Sequence, residues 1–212
     1  MLGVPPQVKM IMGLRQGGLT DLKVLEAIER VPRERFVDHS MQAHAYDDTA
    51  LPIACGQTIS QPFVVAFMTT ALKLLPGHKV LEIGTGSGFQ TAVLAQLCRR
   101  VYTIERHRPL RMAAEALLTK LGYTNIIYRL GDGIKGWREQ APFERILVTA
   151  AAPAVPKALL EQLAVGGILV APIGDAAGQD IRRVTRTEYG VETETLLPVR
   201  FVPLVEGIAP PA

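Results

Sequence analysis

Apolar positions along this chain recur with two alternating periods. Short apolar runs, typical of buried parallel strands, are followed by longer stretches in which apolar residues recur every three or four positions, as in helices. After residue 180 the pattern changes to two segments of alternating apolar and polar residues around Glu188-Tyr189-Gly190, which predicts an antiparallel hairpin. The predicted fold class is therefore α/β, a mostly parallel, doubly wound sheet with an antiparallel C-terminal addition. The parallel strands are expected at residues 80–83, 101–104, 126–130, 145–149 and 168–172.

The N-terminal third of the chain has a weaker pattern. Residues 1–19 contain helix-compatible and flexible pieces with little pattern. Asp21 begins a small amphipathic helix that ends before Pro32, and residues 33–57 read as irregular. We therefore predict residues 1–76 to be a helical extension and residues 77–212 to be the ligand-binding core, folded together as one compact unit.

Two predicted helix starts carry candidate capping residues. Ser87 followed by Gln90 matches a capping box, which predicts that a helix begins at the neighbouring glycine. Ser60 lies just before Pro62, which reads as the first residue of another helix. Ordinary capping or turn formation is the structural alternative to a functional role for Ser60.

The loop between residues 83 and 89 is the most informative stretch for function. Glycines there let backbone N–H groups approach a ligand where a Cβ would collide, and the start of the following helix adds a positive dipole end. The G-x-G-x-G spacing of Gly84, Gly86 and Gly88 differs from the G-x-G-x-x-G of dinucleotide-binding loops, and the lysine of a P-loop is missing. An adenosine-like or anionic ligand is expected, with a glycine-rich loop that binds nothing as the alternative.

Other predicted strand ends carry residues suited to the same ligand. Glu105 follows the second core strand about 20 residues after Gly84, the offset at which an acid can bind ribose hydroxyls. Asp132 and Gly133 follow the third strand, where an acid beside a glycine suits an adenine ring, although a plain turn is an equal alternative. Because ligands of such sheets bind outside the carboxyl ends of the strands, these loops are expected to converge on one crevice with residues 150–153.

Composition narrows the classes of function. The chain has 212 residues, a formal net charge of +3 and no block of like charges, so we expect no nucleic-acid partner. No apolar run is long enough to span a membrane and no signal peptide is recognisable, which predicts a cytoplasmic protein. Two cysteines and four scattered histidines make a structural zinc site unexpected. We expect a monomer, with weak dimerisation as the alternative.

With these residues in view, the chain resembles the protein-L-isoaspartate O-methyltransferases over nearly its whole length. An acid, Glu82, two residues before G-x-G-x-G resembles motif I of class I methyltransferases, which many enzymes share. More selective are the segment from Gln57 to Pro62 and the tail from Val199 to Leu204. Further matching segments are residues 30–37, 131–133 and 148–153.

The resemblance implies a Rossmann-like class I methyltransferase fold, with S-adenosylmethionine as the cofactor and isoaspartyl peptides and damaged proteins as substrates. It implies transfer of a methyl group to the free α-carboxylate of an L-isoaspartyl residue, with the ester closing to a succinimide that opens partly to aspartate. Ser60 would be the catalytic serine, and residues near it would bind the substrate together with the tail. The implied cofactor-binding residues are Thr58, Ile59, Glu82, Gly84, Thr85, Gly86, Gly88, Glu105, Asp132 and Gly133; the implied substrate-binding residues are Gln57, Ser60, Val199, Phe201 and Val202.

The chemistry explains why few catalytic residues are visible. An isoaspartyl carboxyl has a pKa near ~4, so it is ionised at neutral pH and needs no general base. We hypothesise that Ser60 orients this carboxylate by a hydrogen bond, and that the tail pairs as a strand with an extended substrate. Another S-adenosylmethionine-dependent methyltransferase, acting on RNA or a small molecule, is the alternative enzyme. A module that binds the cofactor without transferring the methyl group is the non-enzymatic alternative.

Overall fold

A seven-stranded sheet covered by helices on both faces forms the centre of the molecule, in a computed structural model that describes residues 3–210. The helices are α1 (Pro6–Gln16), α2 (Leu22–Arg30), α3 (Pro62–Ala71), α4 (Phe89–Leu97), α5 (Arg108–Lys120) and α6 (Lys157–Gln162). A two-stranded hairpin, β1 (Leu51–Ile53) and β2 (Gln57–Ile59), precedes the large sheet. The sheet contains β3 (Lys79–Ile83), β4 (Arg100–Glu105), β5 (Ile126–Leu130), β6 (Phe143–Val148), β7 (Leu163–Gly174), β8 (Gln179–Thr187) and β9 (Gly190–Val199).

The strand order β5-β4-β3-β6-β7-β8-β9 confirms the predicted fold class. The first five strands pair in parallel, and β8 and β9 add antiparallel pairs at one edge. Chain order reverses at β3, which lies between β4 and β6. The carboxyl end of β3 is therefore the topological switch point, where sheets of this kind bind their ligands.

The N-terminal helices pack directly on the sheet-covering helices. Met10 and Leu14 of α1 and Ile28 of α2 belong to one buried cluster with Phe89 of α4 and Leu118 of α5. This shared core supports the proposal that residues 1–76 and 77–212 form one compact unit. No helix among residues 3–210 has the length and apolar character needed to cross a membrane.

Two local predictions were wrong and one was incomplete. The helix-compatible part of residues 1–19 is α1, where two buried side chains and tertiary packing hold a weakly amphipathic segment. The strand expected at residues 168–172 begins earlier, because α6 ends at Gln162 and pairing with β6 extends β7 back to Leu163. The tail expected as a strand from Val199 to Leu204 leaves the sheet after Val199 and makes one isolated parallel bridge, between Ala151 and Pro203.

Candidate active site

The glycine loop lies at the switch point and has a backbone that side chains disfavour. Gly84, Gly86 and Gly88 all have positive φ angles, of 95°, 55° and 89°. At Gly84 an added Cβ would also overlap the hydroxyl of Thr149, which donates a 2.8 Å hydrogen bond to the Gly84 carbonyl oxygen. Glycine is therefore required at this position by both conformation and space.

The helix after the loop begins where the sequence predicts, but not by the predicted cap. Helix α4 begins at Phe89 with Gly88 as its N-cap, which confirms a start at the third glycine. The capping box was wrong: the Ser87 hydroxyl accepts a 3.3 Å bond from the Phe89 N–H, and the Gln90 amide donates to Thr69. Because Gly88 occupies the N-cap position, Ser87 lies one residue too early to form the box.

A cavity of about 220 Å³ opens above the carboxyl ends of β3 and β4. Its walls come from the glycine loop, the end of β4, the turn after β5, the segment after β6, the β2–α3 connection and the tail. Ten of the predicted site residues line it: Gln57, Thr58, Ile59, Ser60, Gly84, Thr85, Gly86, Glu105, Gly133 and Val202. The convergence of separate strand-end loops on one crevice is what the sequence predicts.

Glu105 is held rigidly in the wall of this cavity. Its side chain is almost fully buried, one carboxylate oxygen accepts a 2.9 Å hydrogen bond from the Gly86 N–H, and the other accepts a 2.9 Å bond from the His107 N–H. The carboxylate thus joins the end of β4 to the glycine loop. Its predicted contact with ribose hydroxyls stays a prediction.

Asp132 lies beside the cavity with one oxygen uncommitted. Its Oδ1 accepts a 3.0 Å bond from the Ile134 N–H, while Oδ2 is buried without a hydrogen-bond partner among the described residues. The Lys135 ammonium lies 3.5 Å from Oδ2 and is mostly exposed, so it only weakly offsets this burial. The adjacent Gly133 lines the cavity and has no room for a Cβ because Ile83 packs against it. A buried acceptor next to a bare backbone fits the amino group and flat ring of an adenine.

Three predicted cofactor-binding residues, Glu82, Gly88 and Asp132, do not line the cavity, and their contact with a cofactor stays a prediction. Gly88 faces α5, where a Cβ would come within 3.0 Å of Leu118. Glu82 is fully buried beneath the glycine loop, and its Oε2 accepts hydrogen bonds of 2.6 Å from Thr91 and 2.7 Å from Thr103. Thr103 also bonds Thr85 at 2.6 Å, so Glu82 acts on the cavity wall through two threonines.

Burial raises the pKa of the Glu82 carboxyl from 4.5 to about 8, against the opposing effect of the two threonine hydroxyls. The folded state therefore keeps a proton that the unfolded state has already lost between these pH values. This contribution to stability is fully present below pH 4.5 and falls by up to about 1.4 kcal/mol per pH unit until pH passes 8. We expect Glu82→Gln, which cannot ionise, to flatten this slope in urea unfolding across the window. An equal slope in the variant would contradict the assignment.

Ser60 lies between β2 and α3 with its hydroxyl free of capping duty. The N-cap of α3 is Gln61, and the first turn is capped instead by Asp48, whose Oδ1 accepts a 2.7 Å bond from the Phe63 N–H. The structural alternative of helix capping is therefore not what the geometry supports. Ser60 and Thr58 line both the cavity and a neighbouring cleft of about 250 Å³. This cleft is also lined by Val199 and Phe201, the remaining two predicted substrate residues.

The tail closes the far side of the cavity by hydrogen bonds to the segment after β6. The Val202 carbonyl oxygen accepts a 2.8 Å bond from the Ala151 N–H, and the Leu204 N–H donates a 2.7 Å bond to the Ala151 carbonyl oxygen. The Phe201 N–H donates to Gln179 at 2.7 Å.

Arg33, which the sequence reading did not single out, is attached to the backbone of Ser60. Its side chain is fully buried; Nη2 donates a 2.7 Å hydrogen bond to the Ser60 carbonyl oxygen, and Nε donates a 2.8 Å bond to that of Ala45. The guanidinium lies 4.7 Å from the ring centroid of Phe89, a cavity residue. Burial lowers its pKa to about 10, so the side chain remains charged at neutral pH. The sequence signal for Arg33 was weak: a charged residue within residues 30–37, which match the family but were read as irregular.

Within residues 3–210, no three His, Cys, Asp or Glu side chains come together as a metal site. The acidic and basic residues that line the cavity are Glu105, Arg106 and His107. The last two, like Phe89 and Thr149, were not predicted as site residues, because nothing local distinguishes them from surface or core positions.

Comparison with known proteins assigns the family. The sequence profile of the protein-L-isoaspartate(D-aspartate) O-methyltransferases matches residues 6–209. A protein-L-isoaspartate O-methyltransferase from Rhodospirillum rubrum is 60% identical over 99% of this chain and 97% of its own length. A solved protein-L-isoaspartate O-methyltransferase superposes with a TM-score of 0.85 at 28% identity over 93% of this chain; the chain spans 65% of that protein's length.

A second solved structure shows the same fold at lower identity. It is a protein from Plasmodium falciparum described as a putative protein-L-isoaspartate O-methyltransferase in complex with S-adenosyl-L-homocysteine. It superposes with a TM-score of 0.84 at 24% identity, covering 96% of this chain and 99% of its own. From the profile match and the near-complete alignment to the bacterial relative, this chain belongs to the protein-L-isoaspartate(D-aspartate) O-methyltransferase family.

Proposed function

We propose that this chain repairs aged proteins by transferring the methyl group of S-adenosylmethionine to the α-carboxylate of L-isoaspartyl residues. Membership of the family makes it a carboxyl methyltransferase that uses this cofactor. The methyl ester then closes to a succinimide, which opens in part to normal aspartate. The observation that carries the proposal is the position of Ser60, which lines both the cavity under the strand ends and the neighbouring cleft.

The residues of the cavity fit the adenosine part of the cofactor. Asp132 offers the unpartnered Oδ2 to the amino group of adenine, Gly133 leaves space for the ring, and Glu105 would accept the ribose hydroxyls. The solved relative from Plasmodium falciparum contains S-adenosyl-L-homocysteine, the molecule that remains once the methyl group has left. When bound, S-adenosylmethionine supplies a methyl group already activated by a positively charged sulfur.

The chain itself has to orient the acceptor and exclude water. The isoaspartyl carboxylate is ionised at neutral pH, so no residue has to remove a proton from it. Orientation alone can lower a barrier by about 7–11 kcal/mol. We assign the orienting hydrogen bond to the Ser60 hydroxyl, with Thr58 and Ile59 packing at the same junction. Gln57 and Val202 on the cavity side, and Val199 and Phe201 on the cleft side, would hold the substrate backbone.

Recognition of an extended substrate segment stays a proposal. Val202 and Leu204 already use backbone groups in bonds to Ala151, so any pairing with the substrate involves other groups of the tail. An extended segment still fits a cleft bounded by the tail and α3. A flexible peptide is expected to be methylated faster than a rigidly folded protein with the same lesion, and equal rates would contradict this idea.

The proposed activity predicts discrimination between two peptides of identical sequence. With S-adenosylmethionine present, a peptide containing L-isoaspartate should gain a base-labile methyl ester, whereas its L-aspartyl twin should not. The measurement is release of volatile methanol in base after transfer of a labelled methyl group, with reactions lacking enzyme as the control. Transfer to an RNA or small molecule instead, or cofactor binding with no transfer to the isoaspartyl peptide, would overturn the proposal.

Monomeric state and cytoplasmic location stay predictions from the sequence. Light scattering during gel filtration would measure the first, and a mass of two chains would contradict it.

A further inference from the structure

A second, larger cavity of about 540 Å³ lies outside the cofactor cavity and shares no lining residue with it. It is bounded by the turn between α1 and α2, one side of α3, and the outer strands of the sheet. Phe63 and Phe67 of α3 stack in its wall with ring centroids 6.1 Å apart. Its other apolar wall residues include Leu19, Leu74, Leu75 and Leu196.

This cavity adjoins the cleft that Ser60 lines. Phe63 lines both, and the β9 wall passes from Leu197 in the cleft to Leu196 in the cavity. The pairing register of β8 and β9 shifts at this point and leaves Leu196 without a partner opposite it. A bulge of this kind lets neighbouring side chains face the same way, and both leucines pack into the core cluster that contains α3. The cleft and the cavity thus adjoin along α3 with Phe63 in both walls, and together they are called the groove.

The walls define the chemistry of an occupant. They are mainly apolar, and Thr70 contributes a hydroxyl that is buried without a hydrogen-bond partner among the described residues. Three charged residues also line the cavity: Arg183, which is paired with Glu194 at 2.5 Å, Asp21, whose carboxylate caps α2, and Lys73. These walls suit an apolar side chain of a bound peptide. A backbone group of the same peptide would supply a hydrogen-bond partner for the Thr70 hydroxyl.

The length of the groove sets the position of that side chain in the substrate. From Phe63 to Thr70 the helix rises about 10 Å, at 1.5 Å per residue. An extended peptide covers this distance in about three residues, at roughly 3.3 Å each. The distance from Ser60 to Phe63 has to be added to this length. A side chain about four residues from the reacting residue would therefore reach the cavity.

We propose that the cavity beside Phe67 and Thr70 is a distal substrate subsite, which binds an apolar side chain about four residues away from the isoaspartyl residue. The proposal rests on the proposed function, because adjacency to the Ser60 cleft identifies the occupant as substrate. It adds a source of selectivity among damaged proteins: exposed lesions flanked at this distance by apolar residues would be methylated first.

The test is a positional scan with matched enzyme variants. Peptides of eleven residues carry a central isoaspartate in an alanine and serine background, and one leucine is moved through every other position. We expect kcat/KM to rise about tenfold when leucine stands about four residues away on one side, with little effect at its immediate neighbours. Leu196→Glu, which places a charge in the cavity wall, should reduce this preference to less than twofold. The control Val191→Glu makes the same change on the same strand, outside the lining, and should keep the preference.

The outcomes separate the two proposals. Equal kcat/KM for all leucine positions, with normal methylation of every peptide, would overturn the subsite and leave the proposed function intact. Failure to methylate any isoaspartyl peptide would overturn the proposed function itself. Retention of the tenfold preference by a folded Leu196→Glu variant would also overturn the subsite. If that variant does not fold, as judged by circular dichroism, Leu196→Gln gives the same test without a full charge.

Discussion

Replacing Ser60 by alanine is expected to lower kcat for an isoaspartyl peptide by about 10- to 150-fold. A hydrogen bond to a charged group contributes about 1.5–3 kcal/mol, and losing that much stabilisation of the transition state slows the reaction by this factor. Ser60 lines both the cavity and the cleft, and its hydroxyl is not needed to cap α3, which is capped by Asp48. The measurement is steady-state methyl transfer with the cofactor saturating.

Two controls separate orientation of the acceptor from general damage. The affinity for S-adenosyl-L-homocysteine, measured by calorimetry, should change little in Ser60→Ala, since the adenosine end of the cavity is untouched. Ser40→Ala, on an exposed turn, should keep the wild-type kcat. A Ser60→Ala variant that turns over at the wild-type rate would exclude the orienting role.

Replacing Arg33 by methionine is expected to destabilise the fold by about 2–6 kcal/mol and to lower activity as well. Methionine has a similar length but donates no hydrogen bond, so the carbonyl oxygens of Ala45 and Ser60 lose their donor. Each buried acceptor left unsatisfied costs about 1–3 kcal/mol. Because one of these oxygens belongs to Ser60, the loss should also move the serine that lies between cavity and cleft. Urea unfolding measures the first effect and kcat the second.

A nearby arginine provides the matched control. Arg30 lies three residues earlier and is exposed, with an ion pair to Glu26 on the surface of α2. Arg30→Met should change the free energy of unfolding by no more than about 0.5 kcal/mol, as is usual for exposed helix pairs. If Arg33→Met matched Arg30→Met in both stability and kcat, the proposed positioning of Ser60 by Arg33 would be refuted. Arg33→Lys, which keeps a charged donor, should recover part of both losses.

The ligand-binding half of the fold was predictable because its signals are local. Apolar runs, the glycine spacing and Pro62 are each read from a few neighbouring residues, and β3, α4, β4, α5 and β5 follow from them. The start of α4 at the third glycine was predicted correctly for a related reason. Gly88 has a positive φ angle, so the loop ends there and the helix begins at the next residue. Boundaries set by partners far along the chain, such as the start of β7, were missed.

The site residues divide in the same way into those with local signals and those placed by packing. Glu105 and Gly133 line the cavity as expected, because strand ends of a parallel sheet meet at one edge. Glu82 and Gly88 were assigned to the ligand by motif alone, yet one side chain lies under the loop and the other residue packs against α5. A motif records which residue types occur together; it does not say toward which neighbour each one points.

By itself the sequence determined the α/β order, the adenosine-type loop and the resemblance to a methyltransferase family, since these depend on short-range periodicity and backbone conformation. Only the tertiary structure decided that Arg33 donates to the Ser60 carbonyl oxygen, that Asp48 caps α3, and that a second cavity lies beyond Phe63. The physical reason is that burial and hydrogen bonding between distant segments depend on how the whole chain packs. No local pattern encodes such distances.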